Sequence, residues 1–528
     1  MSTPHAAIDL IVSALTADDS EDAELIGAGW SAFESSGTLD RDAWEHWLTT
    51  LASLAPVPSA AASETLLART LERLHGAMLG PQGFCELPEE LDPERLAAWH
   101  SLLKREETGR FRLAAMLSRD SSHAALEALL GLWSASPAAD GRGTDLVFAT
   151  LIQRRSPDLK LLFPRLFDLV ATGAFAAAAL DLANFLYRSA EVAFHPAADR
   201  LPRLLKLLQG ISVELERIEK DPSVAGSPVE VQAKIASSIA LGVALCDCFA
   251  LTRYEPATAQ LRIAMSLGHR RLRCEAAWGL ARLGDDAGVT ELVMLAEEPV
   301  ARLRVLAYAE ELGVSDKIPG ELRTEEAIAE SELAIWLADP TQMGLPPAEL
   351  TCVDHRRLSW PGDDEPVECR LWRFTSDFGR GRYENLGITG PRAHSTTVDL
   401  TGLPFDEVYA LFAGLQAEHE EILEQDVRDL APGHLPDIAR LERRLKDRGL
   451  EQIQPLKFGS FFGEKVLVAR AQAGAITGIA VADSLEVLWR PDDSRPRPLG
   501  ADECHAIYRG RKLLGAFNEG FVADDIDR

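Results

Sequence analysis

Cysteine and histidine side chains are the most reactive groups that this sequence places at suggestive spacings. Cys246 and Cys248 have the close spacing of a thiolate metal pair. Cys352 or Cys369 with His394 would supply the nucleophile and the base of a hydrolase. Because Cys246 and Cys248 fall in an apolar run of helical character, the sequence favours small buried thiols over a metal site there.

A histidine flanked by carboxylates at Glu418-His419-Glu420-Glu421 is the other candidate for metal chemistry. It lacks the second histidine of the His-Glu-x-x-His zinc motif, and consecutive residues point around a helix instead of at one ion. A solvated charged face is therefore predicted. The nucleotide-binding glycine motifs and the Gly-x-Ser-x-Gly elbow are absent from the sequence. The sequence thus indicates no catalytic residue, no metal and no cofactor.

Aromatic and arginine side chains gather in two stretches, and these residue types dominate the binding energy of protein interfaces. One stretch is basic and begins at His269, and the other is the turn-rich segment 372–392. The candidate partner-binding residues are Arg270, Arg271, Arg273, Trp372, Arg373, Tyr383, Asn385 and Arg392. The alternative for the second stretch is a partly buried sheet whose polar ends satisfy its own turns.

The elements that would position these side chains are mainly helices, and residues 273–299 hold one complete pair. Apolar side chains recur there at helical spacing, at Leu272, Ala276, Leu280 and Leu283. Gly284 is predicted to end the first helix in a left-handed conformation, and Asp285 and Asp286 to cap a second helix that reaches Pro299. Arg302-Leu-Arg304 repeats Arg271-Leu-Arg273 after about 31 residues, a period typical of stacked helical hairpins.

The string LRCEAAWGLARLGD, followed by a Val-x-x-Leu-x-x-Leu helix, resembles the HEAT-like repeat first described in phycobilisome lyases. The match covers about residues 268–313. This resemblance implies an α-solenoid that binds other proteins along its surface. Charges at the repeat positions, Arg273 and Arg304 with Asp285 and Asp286, would then form a polar ladder between repeats. An enzyme similar to the bilin lyases and isomerases, acting on a tetrapyrrole-type ligand, is an alternative to which no residue can be assigned.

Three parts are predicted along the chain: an N-terminal helical domain or solenoid over residues 1–220, HEAT-like repeats with a capping helix over 228–339, and an α+β domain over 340–528. The fold class is mainly α, a HEAT-like α-solenoid followed by the α+β domain. In the first part, Trp44, Trp47 and Leu48 are predicted to share one helix face, and further helices are predicted at 63–80, 92–105, 121–133, 144–154, 158–171 and 174–190.

The last part alternates strand and helix patterns. Strands are predicted at 349–355, 368–375, 383–388, 394–400, 464–469, 475–481 and 485–489, and helices at 405–423, 435–446 and 502–517. A helix at 324–337, with its glutamates facing water, is predicted to cap the solenoid.

Charge and cysteine content limit the classes of partner. The formal net charge is −28, from 54 Lys and Arg against 82 Asp and Glu, so a broad nucleic-acid or anionic-membrane footprint is disfavoured. Seven cysteines without Cys-x-x-Cys spacing fit a reducing cytoplasm. The first residues lack the basic start of a secretion signal, and no uninterrupted apolar run reaches membrane-spanning length.

These observations predict a cytoplasmic, non-catalytic scaffold or adaptor that binds protein partners. The scaffold itself is predicted to be bound or processed by a larger bacterial complex. The alternatives are the tetrapyrrole lyase or isomerase and a hydrolase sited in the C-terminal domain.

Overall fold

The computed structural model of this chain describes residues 4–16, 23–35, 46, 61–78, 93, 96–97, 103, 107–120, 122–135, 144–154, 157–169, 173–221, 227–379, 381–417, 422–492, 498–519 and 521. These residues form mainly helices, followed by two antiparallel sheets. The mainly helical architecture with a C-terminal α+β part is confirmed. The chain divides into two compact units, Met1–Leu292 and Val293–Arg528. The three domain boundaries drawn from composition stay a prediction.

The first unit is built from helices. They are α1 Pro4–Thr16, α2 Ala23–Ser35, α3 Ala61–Met78, α4 Glu107–Arg119, α5 His123–Ala135, α6 Thr144–Arg154, α7 Arg165–Asp168, α8 Gly173–Arg188, α9 Leu201–Lys220, α10 Pro228–Thr252, α11 Thr258–Met265, α12 Arg270–Arg282 and α13 Asp286–Leu295, within which the division between the units falls. The helix predicted at 144–154 is confirmed, and those at 63–80, 121–133 and 174–190 are confirmed with small shifts at their ends.

One predicted helix of this unit is interrupted. In place of a single helix over 158–171 there is a 3-10 turn, Pro157–Leu162, followed by the short α7. Pro164 lies at the N-cap of α7, where its ring disfavours helical backbone at the residue before it. The predicted face of Trp44, Trp47 and Leu48, and most of the predicted helix over 92–105, lie outside the described residues.

The predicted turn between α12 and α13 is confirmed. Gly284 has a φ of +83°, and the Asp285 carboxylate accepts a hydrogen bond from the backbone N–H of Ala287 at 3.1 Å. A Cβ on Gly288 would lie 2.3 Å from the carbonyl oxygen of Ala277, so glycine is what lets the two helices approach this closely. The second helix ends at Leu295, and Pro299 begins the next helix instead of ending this one.

Ion pairs join neighbouring helices of the first unit. Arg188 of α8 contacts Asp247 of α10 at 2.5 Å, and Arg273 of α12 contacts Glu291 of α13 at 2.5 Å. Asp285 accepts from Arg262 of α11 at 2.7 Å. The polar ladder between repeats was predicted to join Arg273 and Arg304 with Asp285 and Asp286. Arg273 instead pairs with Glu291, and Asp285 pairs with Arg262.

Among the described residues, α10 is the one helix that combines great length with an apolar composition. Its residues Val229–Thr252 are long and apolar enough to cross a membrane by length and composition, and 67% of the most apolar window is buried within the fold. Because the core helix of a soluble protein passes the same test, this observation is weak evidence for a membrane span.

The second unit contains the remaining elements. Its helices are α14 Pro299–Leu312, α15 Glu325–Ala338, α16 Phe405–Gln416, α17 Leu435–Asp447 and α18 Ala501–Phe517. The first sheet has the order β1 Glu349–Leu358, β2 Val367–Asp377, β3 Arg382–Thr389 and β4 His394–Ser395. The second has the order β5 Ile422–Asp426, β6 Glu451–Phe461, β7 Glu464–Ala473, β8 Ile476–Ala482 and β9 Val487–Pro491.

Both faces of the first sheet are covered. On one face, Trp372 and Phe374 of β2 pack against Leu333 and Leu337 of α15. On the other, Leu371 joins a larger core that includes α16, α18 and strands of the second sheet. The helix predicted as a solenoid cap thus packs on this sheet, which explains why β2 is apolar on both faces.

Three elements of the second unit differ from their predictions. The helix predicted over 405–423 ends at Gln416, and Ile422 begins strand β5. Strand β6 was missed because two register shifts, at 451/454 and 455/457, break its alternation of apolar and polar residues. The strand predicted at 394–400 is only the two residues His394–Ser395.

Candidate functional site

A cleft lined by aromatic side chains is the candidate site in the second unit, and we call it the aromatic cleft. Its volume is about 370 Å³, and it lies between the end of α15, the turn that follows it and strands β2 to β4. Its lining residues are Trp336, Leu337, Thr341, Gln342, Met343, Phe374, Phe378, Tyr383, Ser395, Thr396 and Thr397. Such a mixture of apolar walls with a few polar groups is typical of a binding site.

The turn after α15 is fixed by a local capping arrangement. The Asp339 carboxylate accepts hydrogen bonds from the backbone N–H of Thr341 at 2.8 Å and from its hydroxyl at 2.6 Å. These bonds lower the pKa of Asp339. The carboxylate is therefore ionised at neutral pH and accepts both bonds in the turn that leads to Met343 at the cleft.

The opposite wall is placed by the turn between β2 and β3. Asp377 accepts from the backbone N–H of Gly379 at 2.7 Å, and Gly379 has a φ of +70°. This turn leaves Phe378 at the end of the hairpin with 46% of its surface exposed. Phe378 was missed at the level of sequence, although an aromatic residue directly before a glycine in a hairpin turn could have indicated it. Trp336 and Met343 could be assigned to the cleft only from the tertiary structure.

Asn385 positions the cleft but does not line it. It is fully buried, and its amide N–H groups donate to the Tyr383 hydroxyl at 2.8 Å and to the carbonyls of Thr396 and Val398. Its side-chain oxygen accepts from the backbone N–H of Leu400 at 2.9 Å. Asn385 therefore holds the segment after β4 against β3. The prediction that it contacts a partner is wrong, because its side chain is buried.

Trp372 is also buried, since only 2% of its surface is exposed and its indole N–H donates to the Thr389 hydroxyl at 2.7 Å. Its prediction as a surface anchor fails because α15 covers that face of the sheet. Arg373 is exposed beside Glu384 at 3.6 Å, and Arg392 is exposed in the loop before β4. Of the predicted residues, Tyr383 alone lines the aromatic cleft.

The basic stretch of the first unit is split by the helix that carries it. Arg270 and Arg271 are exposed in the first turn of α12, while Arg273 is half-buried and paired with Glu291. Burial and the two neighbouring arginines lower the pKa of His269. Of the three predicted arginines, Arg270 and Arg271 are therefore the two that lie on the surface of this helix.

A cysteine, a histidine and an asparagine meet inside the first unit. The Cys248 sulfur lies 3.9 Å from Nδ1 of His195, whose Nε2 lies 2.9 Å from the Asn184 side-chain oxygen. A thiol, an imidazole and an amide in this order could support nucleophilic catalysis. Here, however, Nδ1 already accepts from the backbone N–H of Ala197 at 3.1 Å, and the thiol is fully buried.

Burial sets the protonation states of this group. It raises the pKa of the Cys248 thiol and lowers the pKa of His195 to about 4. The pair is therefore a neutral thiol beside a neutral imidazole at pH 7, without the thiolate that nucleophilic attack requires. The Asn184 side-chain N–H donates to the carbonyl of Ala244 in α10 at 3.0 Å. Cys248, His195 and Asn184 thus connect α8, the turn at 195–197 and α10.

His195 should make the first unit less stable in acid. The unfolded chain, with an ordinary histidine pKa of about 6.5, binds a proton before the folded chain does. The stabilisation is therefore complete above pH 6.5 and is lost as the pH falls towards 4, by about 3 kcal/mol in total. Denaturant unfolding at pH 7 and pH 4.5 is expected to show this loss in the wild type and a smaller loss in His195→Gln. Equal losses in the two proteins would contradict this assignment.

Cys352 and Cys369, the candidate nucleophiles of the hydrolase alternative, are also protonated thiols. Burial raises the pKa of Cys369 to about 12 and also raises that of Cys352. His394 lies between the rings of Trp336 and Phe412, at 5.2 and 5.8 Å between ring centroids, and burial lowers its pKa. In the described residues no hydrogen bond joins either thiol to His394. These features disfavour the hydrolase alternative.

Metal chemistry has no support in the described part of the chain, where no group of three or more His, Cys, Asp or Glu side chains is placed to hold an ion. Cys246 and Cys248 are both buried free thiols, as predicted. The Glu418-His419-Glu420-Glu421 segment lies outside the described residues.

A partly buried ionic cluster that the sequence did not indicate joins the second sheet to α18. The Glu424 carboxylate contacts His505 Nδ1 at 2.5 Å and the Lys457 ammonium at 2.5 Å. The hydrogen bond to His505, together with that to Lys457, lowers the pKa of Glu424 to about 2 against the effect of burial. The three residues of this cluster lie far apart in sequence, and only the tertiary structure brings them together. We infer that their contacts stabilise the packing of α18 against the second sheet.

Comparison with models of known protein families, with curated proteins and with solved structures yields no match to this chain.

Proposed function

We propose that this protein is a non-catalytic scaffold or adaptor whose second unit binds a protein partner at the aromatic cleft. The observation that carries this proposal is the cleft itself, in which Trp336, Phe374 and Tyr383 surround a space of about 370 Å³ beside the half-exposed Phe378. Rigid aromatic side chains give up little conformational entropy on binding, which is why they dominate interface energy.

The chemistry of the cleft fits an apolar anchor from a partner chain. Phe374 and Met343 supply apolar walls, and Thr341, Thr396 and Thr397 add polar side chains to the lining. Arg373 and Arg392, both exposed, would add charged contacts around the site.

We infer that the helical hairpins of the first unit stack as a HEAT-like solenoid and offer a second binding surface. The left-handed Gly284 turn, the close approach of two helices at Gly288 and the ion pairs between neighbouring helices support this inference. Arg270 and Arg271 would be the outward anchors of this surface. A scaffold of this kind would hold partners in a larger complex in the cytoplasm.

Photo-crosslinking tests the cleft directly. A photoreactive phenylalanine analogue at position 378 is expected to give a discrete adduct with a partner in native cells. Leu485, 73% exposed in the same unit, provides the control position. In a binding assay with the partner so identified, Phe378→Ser should weaken affinity by about 10- to 100-fold, the usual range for an interface anchor.

Thermal unfolding of Phe378→Ser should match that of the wild type, because the side chain is half-exposed. The proposal would be abandoned if the analogue gave the same adducts at positions 378 and 485, or if Phe378→Ser bound the partner as the wild type does.

A further inference from the structure

We propose that a cavity in the first unit binds a medium-chain fatty carboxylate. The cavity lies between α7, α8, α9 and α10, has a volume of about 420 Å³ and is separate from the aromatic cleft in sequence and in composition. Its size falls within the range of ligand pockets, roughly 300 to 1,000 Å³.

The interior of this cavity is apolar. Leu180, Ala197 and Leu241 are buried at its floor, and Phe167 and Leu204 form half-buried walls. Each methylene group of an alkyl chain that leaves water for such an interior contributes favourably to the free energy of binding. An alkyl chain therefore fits the walls without requiring any polar partner.

All charged groups that line the cavity are cationic and lie at the start of α9. Arg200 is the N-cap residue of this helix, and Arg203 and Lys206 follow at three-residue spacing, so the last two share a side of the helix. Arg200 is held by Asp168 at 2.9 Å and lies 5.6 Å from the Phe167 ring. Arg203 and Lys206 are exposed, and neither has a carboxylate within ion-pair distance in the described part of the chain.

Arg203 lies in the first turn of α9, where the positive end of the helix dipole disfavours a cation and favours an anion. In a chain with a net charge of −28, two cations without a carboxylate partner at the rim of an apolar cavity are complementary to an anionic head group on an apolar chain.

A peptide would fit this cavity less well than a fatty acid. Its backbone N–H groups need acceptors, whereas the polar side chains that line the cavity are all cationic donors. A fatty carboxylate has one group that requires donors, placed at one end, and its chain requires none. The geometry therefore points to a carboxylate at Arg203 and Lys206 with the chain directed towards Leu180 and Leu241.

Titration of the full chain with dodecanoate, below the concentration at which it forms micelles, tests this proposal. Saturable one-to-one binding is expected, together with at least ten-fold weaker binding of the uncharged dodecanol. The double variant Arg203→Ala/Lys206→Ala should weaken dodecanoate binding by at least ten-fold. The matched control is Arg217→Ala/Lys220→Ala, which removes the same charge from the other end of α9 and should bind as the wild type does.

A second variant tests the apolar part of the site. Ala176→Leu places a larger side chain in the cavity and should weaken dodecanoate and dodecanol alike, while circular dichroism confirms that the helices remain folded. Phe378→Ser should leave dodecanoate binding unchanged, so failure here is distinguishable from failure of the aromatic cleft.

Three results would overturn the proposal: no saturable binding of dodecanoate, equal binding by the Arg203→Ala/Lys206→Ala variant and the wild type, or binding only to vesicles of anionic phospholipid or to an acidic amphipathic peptide.

Discussion

Gly510→Ala is expected to destabilise the second unit by about 3 kcal/mol or more, although it adds a single methyl group. A Cβ at Gly510 of α18 would lie 1.7 Å from the carbonyl oxygen of Ala410 of α16, and one at Gly414 of α16 would lie 1.9 Å from the carbonyl oxygen of Ala506 of α18. Because the atoms met are backbone, no side-chain rotation can relieve the overlap. The two helices must separate, and the core around Tyr409 and Tyr508 opens with them.

Gly515→Ala is the matched control in the same helix. Gly515 is exposed, and the nearest atom to its added Cβ would be 3.4 Å away, an ordinary contact. The substitution should stabilise the helix by about 0.5 to 1 kcal/mol, because alanine loses less backbone entropy than glycine. Denaturant unfolding of the full chain measures both effects. Similar stabilities for Gly510→Ala and Gly515→Ala would show that α16 and α18 do not cross at these glycines.

Arg302→Ala is expected to lower the free energy of unfolding of the second unit by about 3 to 5 kcal/mol. The side chain of Arg302, in α14, is 4% exposed, and its guanidinium donates to Glu330 of α15 at 2.5 Å. It also donates to the carbonyls of Ala296 at 2.9 Å and Ala327 at 2.8 Å. Truncation would leave a carboxylate and two carbonyls without their donor, together with a cavity.

Arg304→Ala separates this effect from the loss of a positive charge. Arg304 lies in the same helix, is exposed, and is 3.5 Å from the Tyr308 hydroxyl. Its replacement should change stability by less than about 1 kcal/mol. Urea unfolding monitored by tryptophan fluorescence compares the two variants. A loss below about 1 kcal/mol for Arg302→Ala would mean that this guanidinium does not hold α14 against α15.

The internal repeat predicted the helical spacing of Arg302 and Arg304 but not their burial. Arg302 and Arg304 were both assigned as repeat positions by their spacing from Arg271 and Arg273. The structure places Arg302 inside the fold and Arg304 on its surface. Periodicity indicates which residues share a helix face, but burial depends on which element covers that face. Arg302 is covered by α15, which follows a loop that is not part of the repeat.

The candidate site was found in part. Tyr383 was selected as an aromatic residue near a glycine-rich turn, and it lines the cleft. Trp372 and Asn385 were selected by the same criterion of residue type, yet both are buried, because strand β2 is covered on both faces and Asn385 bonds to the segment after β4. Residue type alone does not distinguish an interface anchor from a core residue that has satisfied its own hydrogen bonds.

The sequence by itself determined the local conformation wherever the cause is local. Gly284 and Asp285 specified a turn between two helices, and the alternating segments that became β1 and β2 specified an antiparallel hairpin, because backbone sterics, capping and apolar periodicity act over a few residues. Only the tertiary structure decided where the cavity at Leu180 and the aromatic cleft lie. Each is formed by side chains from several elements, and their distances depend on how those elements pack together.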